Sequence, residues 1–436
     1  MGSSHPPIPI DQPGLVALFS YALMRKPTYL LVWVQRTQGK MQAKQMIWPA
    51  AAVVVMAAVL KFANDPVPDT QLSLDDIDRY VFVPSSGAAE VTVIDRAANK
   101  VIKVIELPDI ASQIVVSEIT GLVIASHRDA GTLSMADIET GSVGQIIDLG
   151  MTPQSLVMSP DGYWVAASDI DAGAISVIAL ASPSKIIRLD DQADPTGVTF
   201  SADGSLLYLP DRKSNSLKLV DVVKESVIGE IPLTAAPGLA DASGGSGTPT
   251  AAGTSALTRS PDDRYGFCAI GHAEELAVFD FGAGQRIKTL KLGRQPSRPW
   301  GTADGRYMLI ANEGDRTVSV IDTGTFEVAA TLPGASDVTA INTGWFESVA
   351  FVISRSENRA VVLDLMELQV VGEIPLDERP GPGVVTADGA KLYVALAGSN
   401  SVAVIDTRDR ALKTVIKNVG SAPVGVTMAR TNNFCH

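Results

Sequence analysis

The stretch LYVALAGSNSVAVIDT, residues 392–407, decides the fold. Leu392 to Leu396 alternates bulky apolar residues over one strand length, Gly398-Ser399-Asn400 supplies a turn, and Val402 to Asp406 alternates again. Two short apolar runs joined by a Gly/Ser/Asn turn read as a β-hairpin. Upstream, Gly383 to Thr386 reads as a short strand turned by Asp388-Gly389, and downstream Ala411 to Ile416 reads as a fourth strand. Residues 382–417 therefore form one four-stranded antiparallel unit.

That unit repeats. The apolar-x-apolar-x-Asp ending recurs at Asp95, Asp137, Asp221, Asp280, Asp322, Asp364 and Asp406, and ISVIA ending at Ala179 fills the missing place. The successive intervals are 42, 42, 42, 59, 42, 42 and 42 residues. The long interval carries APGLADASGGSGTPTAAGTS (236–255), a Gly/Ala/Ser/Pro-rich insertion of the kind that forms a flexible loop. A period of about 40–45 residues with four strands per unit is a propeller signature. Thirteen residues before each marker stands a mostly large apolar residue: Phe82, Ile124, Ala166, Tyr208, Phe267, Leu309, Phe351 or Tyr393. This column is expected to stack blade on blade. The first unit lacks an inner strand and Val424 to Met428 matches an inner strand without a blade, so the C-terminal strand is expected to pair with residues 80–85. The expected fold is all-β: an eight-bladed propeller of four-stranded blades spanning 80–429, closed by the C-terminal strand.

LYVALAGSNSVAVIDT, MLIANEGDRTVSVIDT (308–323) and the SPDG and SADG turns resemble the YVTN family of β-propeller repeats. The resemblance implies an exported or surface-exposed propeller of bacterial or archaeal type. Related propellers include lactonases, subunits of quinone- or haem-dependent redox systems, and surface-layer modules. None of their catalytic motifs maps onto residues of this chain.

Ahead of the repeats, residues 46–60 (MIWPAAAVVVMAAVL) form an uncharged apolar run, preceded by Lys40 and Lys44 and followed by Asp65 and Asp69. Bases before and acids after the run place the bulk of the chain outside the cytoplasm. The expected localisation is periplasmic or extracytoplasmic, with or without an inner-membrane anchor. Fifteen residues suit a signal-peptide core better than a spanning helix, whereas Lys61 at the −3 position of a cut after Ala63 argues for an uncleaved anchor. Residues 46–63 are therefore read as a signal peptide or a hydrophobic anchor helix. Residues 1–45 form an extension that a later start at Met41 or Met46 would remove, 64–79 a linker, and 430–436 a tail.

The formal net charge is −13, and from Met46 onward 30 bases face 47 acids, a net of −17. Such a surface repels phosphate backbones and argues against nucleic acid as a partner. It attracts a cationic partner, and a protein partner such as a small basic electron carrier fits. Two cysteines make no disulfide framework; Cys268 is expected to be a buried core thiol.

Candidate chemistry gathers at the channel mouth, on the face bearing the turns between second and third strands. Ten residues before each marker the column reads Ser85, His127, Asp169, Asp211, Ile270, Asn312, Ser354, Leu396, with His272 two residues beyond its own place. Imidazoles and carboxylates on neighbouring blades can share a divalent metal or a proton, and they can equally cap their own turns. Arg298 breaks a column held by Ser155, Gly197 and Ala256, with Trp300 two residues on and Arg294 just before; it can clamp a carboxylate or phosphate, or pair with Asp169 or Asp211. The ending Cys435-His436 offers two metal ligands, too few for a complete sphere. The chain has no Gly-rich phosphate loop, nucleophile-elbow serine, zinc-protease helix or paired-cysteine site. No cofactor is evident, and a divalent metal is the one candidate. Two functional classes stay open: a binding or scaffold module of a redox or envelope complex, and an enzyme or cofactor-binding protein (lactonase-like, or a quinone-, haem- or metal-linked oxidoreductase component) with its ligand at the channel mouth.

Overall fold

The computed structural model describes residues 69–169, 171–183, 186–189, 197–211, 216–232, 254–271 and 273–430. The expected anchor helix, the extension before it, most of the insertion and the tail beyond Arg430 lie outside the described residues. Among the described residues no helix is long and apolar enough to cross a membrane.

The described chain forms eight antiparallel sheets in sequence order, seven of four strands and a first of three. Blade 1 comprises Tyr80–Pro84, Glu90–Asp95 and Lys100–Glu106; blade 2 runs from Gln113–Ser117 to Val143–Asp148, and blade 8 from Pro380–Val385 to Ala411–Lys417. The repeat arithmetic reappears as strand register: Tyr393 pairs with Val404 in blade 8 as Leu309 pairs with Val320 in blade 6.

The stacking column is buried throughout. Phe82, Ile124, Ala166, Tyr208, Phe267, Leu309, Phe351 and Tyr393 are all 3% exposed or less. The core is divided into eight clusters, one at each junction between neighbouring blades. Phe351 packs among Val394, Leu396 and Ala403 across the blade 7–8 junction, and Tyr393 packs with Val81, Val83 and Ile94 across the junction of blades 8 and 1. Blade 8 thus rests on blade 1, and the ring is complete.

The repeated aspartates are structural. Each marker carboxylate accepts backbone N–H groups of the turn that follows it: Asp95 from Ala97 (2.8 Å), Asp322 from Gly324 (2.9 Å), Asp364 from Met366 (2.9 Å). Such an Asx cap holds a short turn that ends in a left-handed residue, here Asn99, Phe326 and Leu368. The Asp-Gly turns carry a second cap. Ser159, Ser201 and Thr386 donate their hydroxyls to Asp161, Asp203 and Asp388 at 2.5–2.7 Å, and Gly162, Gly204 and Gly389 adopt φ of 68–73°.

The closure follows the expected register. Phe82 and Thr427 exchange both backbone hydrogen bonds at 2.9 Å, Val424 N–H donates to the Pro84 carbonyl (3.1 Å), and Ser86 and Gly87 N–H donate to the Ala422 and Ser421 carbonyls (3.0 Å each). Two bridges, Phe82 with Thr427 and Ser85 with Pro423, complete the first blade. Arg430 then fastens the end through Glu118 (2.5 Å) and Asp78 (3.2 Å). The segment ahead of Tyr80 adds to this staple. A 3-10 helix, Leu74–Arg79, is capped by Ser73, and Leu72 and Ile77 are 2% and 3% exposed within the core shared by blades 1 and 2. The packed unit therefore reaches back to cover part of the expected linker.

Deleting residues 424–436 should reopen the ring. The loss of three inter-segment backbone bonds and of the buried Met428 side chain is expected to cost about 4 kcal/mol. Thermal denaturation should show a lower and broader transition than that of the full chain. An unchanged midpoint would show that the first blade does not depend on the C-terminal strand.

Candidate functional site

The polar column at the channel mouth is made of latches. Each blade is approached by a loop from the previous one, and that loop must be tied to the hairpin beside it or leave backbone polar groups unsatisfied. His127, wholly buried, spans from the Ile110 carbonyl (Nδ1, 3.1 Å) to the Ser134 hydroxyl (Nε2, 2.7 Å). A carbonyl only accepts, which assigns the hydrogen to Nδ1 and leaves Nε2 to accept from Ser134. Asp169, 3% exposed, accepts from Thr152 N–H (2.8 Å), Thr152 Oγ1 (2.9 Å) and Ala172 N–H (2.9 Å). Burial alone would push the Asp169 carboxyl up, but these donors outweigh it and hold the group below its usual value. Ser354 donates to the Ser336 carbonyl (2.6 Å), and Asn312 donates to Thr317 and Ser319. On three blades this position ties the approach loop to the hairpin, whereas the Asn312 amide bonds stay within its own hairpin.

His127 and Asp169 do not line the channel cavity, and among the described residues no group of three His, Cys, Asp or Glu could hold a metal. The side chain of Asp211, and His272, Cys435 and His436 entirely, lie outside the described residues.

The cavity itself occupies about 690 Å³ and is walled by the inner strands of the blades. Arg298 and Trp300 both line it, from the inner strand Pro296–Gly301 of blade 6. The Arg298 guanidinium carbon lies 5.9 Å from the Trp300 ring centroid. Its Nε is buried without a hydrogen-bond partner, and among the described residues Arg298 has no ion pair; the alternative of a pair with Asp169 is not realised. Arg294 does not reach into this cavity. It clamps the blade 6 approach loop to the neighbouring hairpin through Asp315 (Nε to Oδ1, 2.6 Å).

Three further charged residues line the channel: Glu118, Arg259 and Arg430. Glu118 is taken by Arg430 (2.5 Å), and Arg259, 7% exposed, lies 3.8 Å from Asp263. Burial pushes the Asp263 carboxyl up, with Arg259 opposing it, while the Tyr208 hydroxyl reaches Asp263 at 3.5 Å. Thr258 donates to the Pro299 carbonyl (2.7 Å), which ties the Arg259 strand to the Arg298 strand. Arg259 was legible by the comparison that exposes Arg298. Its column, twenty-one residues before the marker, otherwise holds Val116, Met158, Phe200, Gly301, Thr343 and Val385. Among the described residues the channel lining thus carries three arginines and one glutamate, a positive lumen inside an acidic chain.

No family model matches the chain. It is 31% identical over 159 residues to the seven-bladed beta-propeller protein Rv1057 of Mycobacterium tuberculosis (strain ATCC 25618 / H37Rv). That alignment takes in 35% of this chain and 40% of the relative, so the match spans less than half of the relative's length. Among solved structures, the dihydro-heme d1 dehydrogenase NirN in complex with DHE superposes with a TM-score of 0.66 over 89% of each chain at 16% identity. Apo AztD from Citrobacter koseri gives 0.58 over 80% of this chain and 96% of that one, at 13% identity. These likenesses are to the propeller fold. They support a β-propeller and do not extend to the YVTN label.

The latches make the mouth acid-sensitive. Glu357 accepts from Ser336 N–H (2.9 Å), Ser336 Oγ (2.8 Å) and both Arg359 and Arg316. Burial raises its pKa, but these donors together bring it down to about 2. A carboxyl depressed in the folded state stabilises fully above its unfolded value of about 4.3, and that stability is lost as pH falls. Thermal midpoints should therefore drop between about pH 4.5 and 2, and Glu357→Gln should start lower at pH 7 and fall less over that window. Parallel curves for the two proteins would remove Glu357 from the account.

Proposed function

We propose that this protein is an exported binding module whose central channel retains a small molecule. The observation that carries the reading is the 690 Å³ channel cavity, walled by the inner strands and lined by three arginines against one glutamate. Cavities of about 300–1,000 Å³ hold drug-sized ligands. In a chain of net charge −13, low-dielectric walls with a positive lumen focus the field on the channel and draw an anion past a repelling exterior. Among the described residues the lining has one glutamate and no His, Cys or Asp, a poor donor set for a divalent metal. What supports export is the order of charges around residues 46–60 and the acidic balance after them.

A second reading is a cofactor-holding or enzymatic propeller in a redox complex, docking a cationic protein partner on its acidic exterior. NirN, whose fold this chain shares over 89% of its length, is named as a dehydrogenase and was solved in complex with DHE. At 16% identity that likeness carries no residue roles across.

Native mass spectrometry of the full chain, purified gently from its own cells, tests the first reading. The expected result is a mass excess that organic extraction removes and that Thr199→Trp, at a part-exposed lining position, abolishes. A chain with no mass excess that instead co-purifies with a basic redox protein would overturn it in favour of the second. Alkaline phosphatase joined to the C-terminus should be active in whole cells, and an inactive fusion would end the export reading.

A further inference from the structure

We infer that the channel's ligand is an organic carboxylate with a flat apolar body, its carboxylate held by Arg298 and its rings lying against Trp300; this rests on the channel being the binding site. Arg298 brings a guanidinium to the cavity wall. Its Nε donor is buried and unanswered. Among the described residues no group answers that donor, and none ties the guanidinium to the protein by an ion pair. The end of a guanidinium presents its two Nη as parallel donors, the spacing at which a carboxylate accepts both.

Two of the candidate acids are engaged elsewhere. Glu118, the one carboxylate among the described lining residues, is bound by Arg430 at 2.5 Å, and Asp169 is saturated by Thr152 and Ala172. A phosphate dianion would call for a second cation beside the first. Arg259 is turned to Asp263 and Arg430 to Glu118 and Asp78, which leaves the arrangement suited to a single negative charge.

The remaining wall sets the body of the ligand. Trp300 lines the cavity beside Arg298, near the outer limit of about 6 Å for a cation over an aromatic face. Such a ring is a stacking surface for a second π-system. Met158, Pro382 and Val426 line the same cavity with exposed apolar surface and favour hydrocarbon over a polyol or peptide body.

Two fluorescent probes separate the charge from the rings: 1-pyrenebutyrate, and 1-pyrenebutanol, which replaces the carboxylate by a hydroxyl. Binding to the full chain is measured by quenching of tryptophan emission and by titration calorimetry. The acid is expected to bind about tenfold more tightly than the alcohol, as one charge-assisted pair allows. Arg298→Gln should bring the acid down to the level of the alcohol and leave the alcohol unchanged. Arg298→Lys should recover part of the loss, and Trp300→Ala should weaken both probes. An unchanged near-ultraviolet circular dichroism spectrum guards against a folding defect. Equal affinity for acid and alcohol, or an acid indifferent to Arg298→Gln, would overturn the carboxylate assignment. Displacement of the acid by inorganic phosphate, together with indifference to Trp300→Ala, would overturn the flat body. If neither probe binds while the purified protein retains another molecule, the inference fails and the channel site stands. If neither probe binds and no molecule is retained, both fail.

Discussion

The mutual backbone pairing of Phe82 and Thr427 governs the rest of the molecule, because a propeller blade is stable only with a neighbour on each side. Every core cluster lies between two blades, so an open ring would expose two apolar faces and leave blade 1 without its inner strand. Joining sequence positions 82 and 427 closes a loop that takes in every blade after the first strand, and the entropy of that closure grows only with the logarithm of its length. The Glu118–Arg430–Asp78 bridges add a second clasp, and the segment from Leu72 to Ile77 caps the blade 1–2 junction from outside. A closed ring in turn gives the channel a fixed wall, which a site built from single residues on separate blades requires.

The blades, their number and the closure were legible because they rest on what repeats. An Asx cap at Asp322 and a hydroxyl-to-carboxylate turn at Ser201 and Asp203 are chemical solutions to the same turn, reused at a spacing of 42 residues. The column of His127, Asp169, Asn312 and Ser354 was harder to read. Three of its members share one task but no functional group, since imidazole, carboxylate and hydroxyl each bridge an approach loop to a hairpin, while the Asn312 amide bonds within its own hairpin. Read singly they imitate catalytic residues; read as a column they are ties. Arg298 stood out because charge replaced smallness at one place. What spacing could not reveal was that Asp169 is fully engaged by its own loop, since hydrogen-bond saturation is a property of coordinates and not of order along the chain.

Blade 7 shows the converse case, where the repeat is broken and the shape is kept. Its inner turn reads Thr343-Gly344-Trp345-Phe346-Glu347, without the Asp-Gly pair, and Trp345, Phe346 and Glu347 all take positive φ of 46–58°. Three consecutive non-glycine residues in that region are strained and persist only when their surroundings over-determine them. Here the surroundings do. The Glu347 carboxylate, 8% exposed, accepts from Thr343 Oγ1 (2.5 Å) and from the Ala303 N–H of blade 6 (2.7 Å), and Trp345 N–H donates to the Gly389 carbonyl of blade 8 (2.8 Å). Arg408 lies over the Trp345 ring at 5.0 Å, while Phe346 remains 83% exposed. The carboxylate ties the turn to blade 6 and the Trp345 N–H ties it to blade 8.

The two departures from the repeat differ in a way that bears on function. The blade 7 turn is strained but satisfied: its donors and acceptors close on one another, and nothing about it asks for a further molecule. Arg298 is unsatisfied: its side chain lines a cavity that the chain does not fill, and its buried Nε has no partner among the described residues. In a protein whose acids outnumber its bases by 48 to 35, a cation left without an acid is not for want of candidates. The inner strands of the ring bring Thr258, Pro299 and Arg298 into one layer and hold them there by backbone and side-chain bonds to their neighbours, so the guanidinium cannot retreat to the acidic exterior without breaking its strand. The position is therefore maintained against the electrostatics of the chain alone, and an anion supplied from outside restores the balance that the sequence withholds.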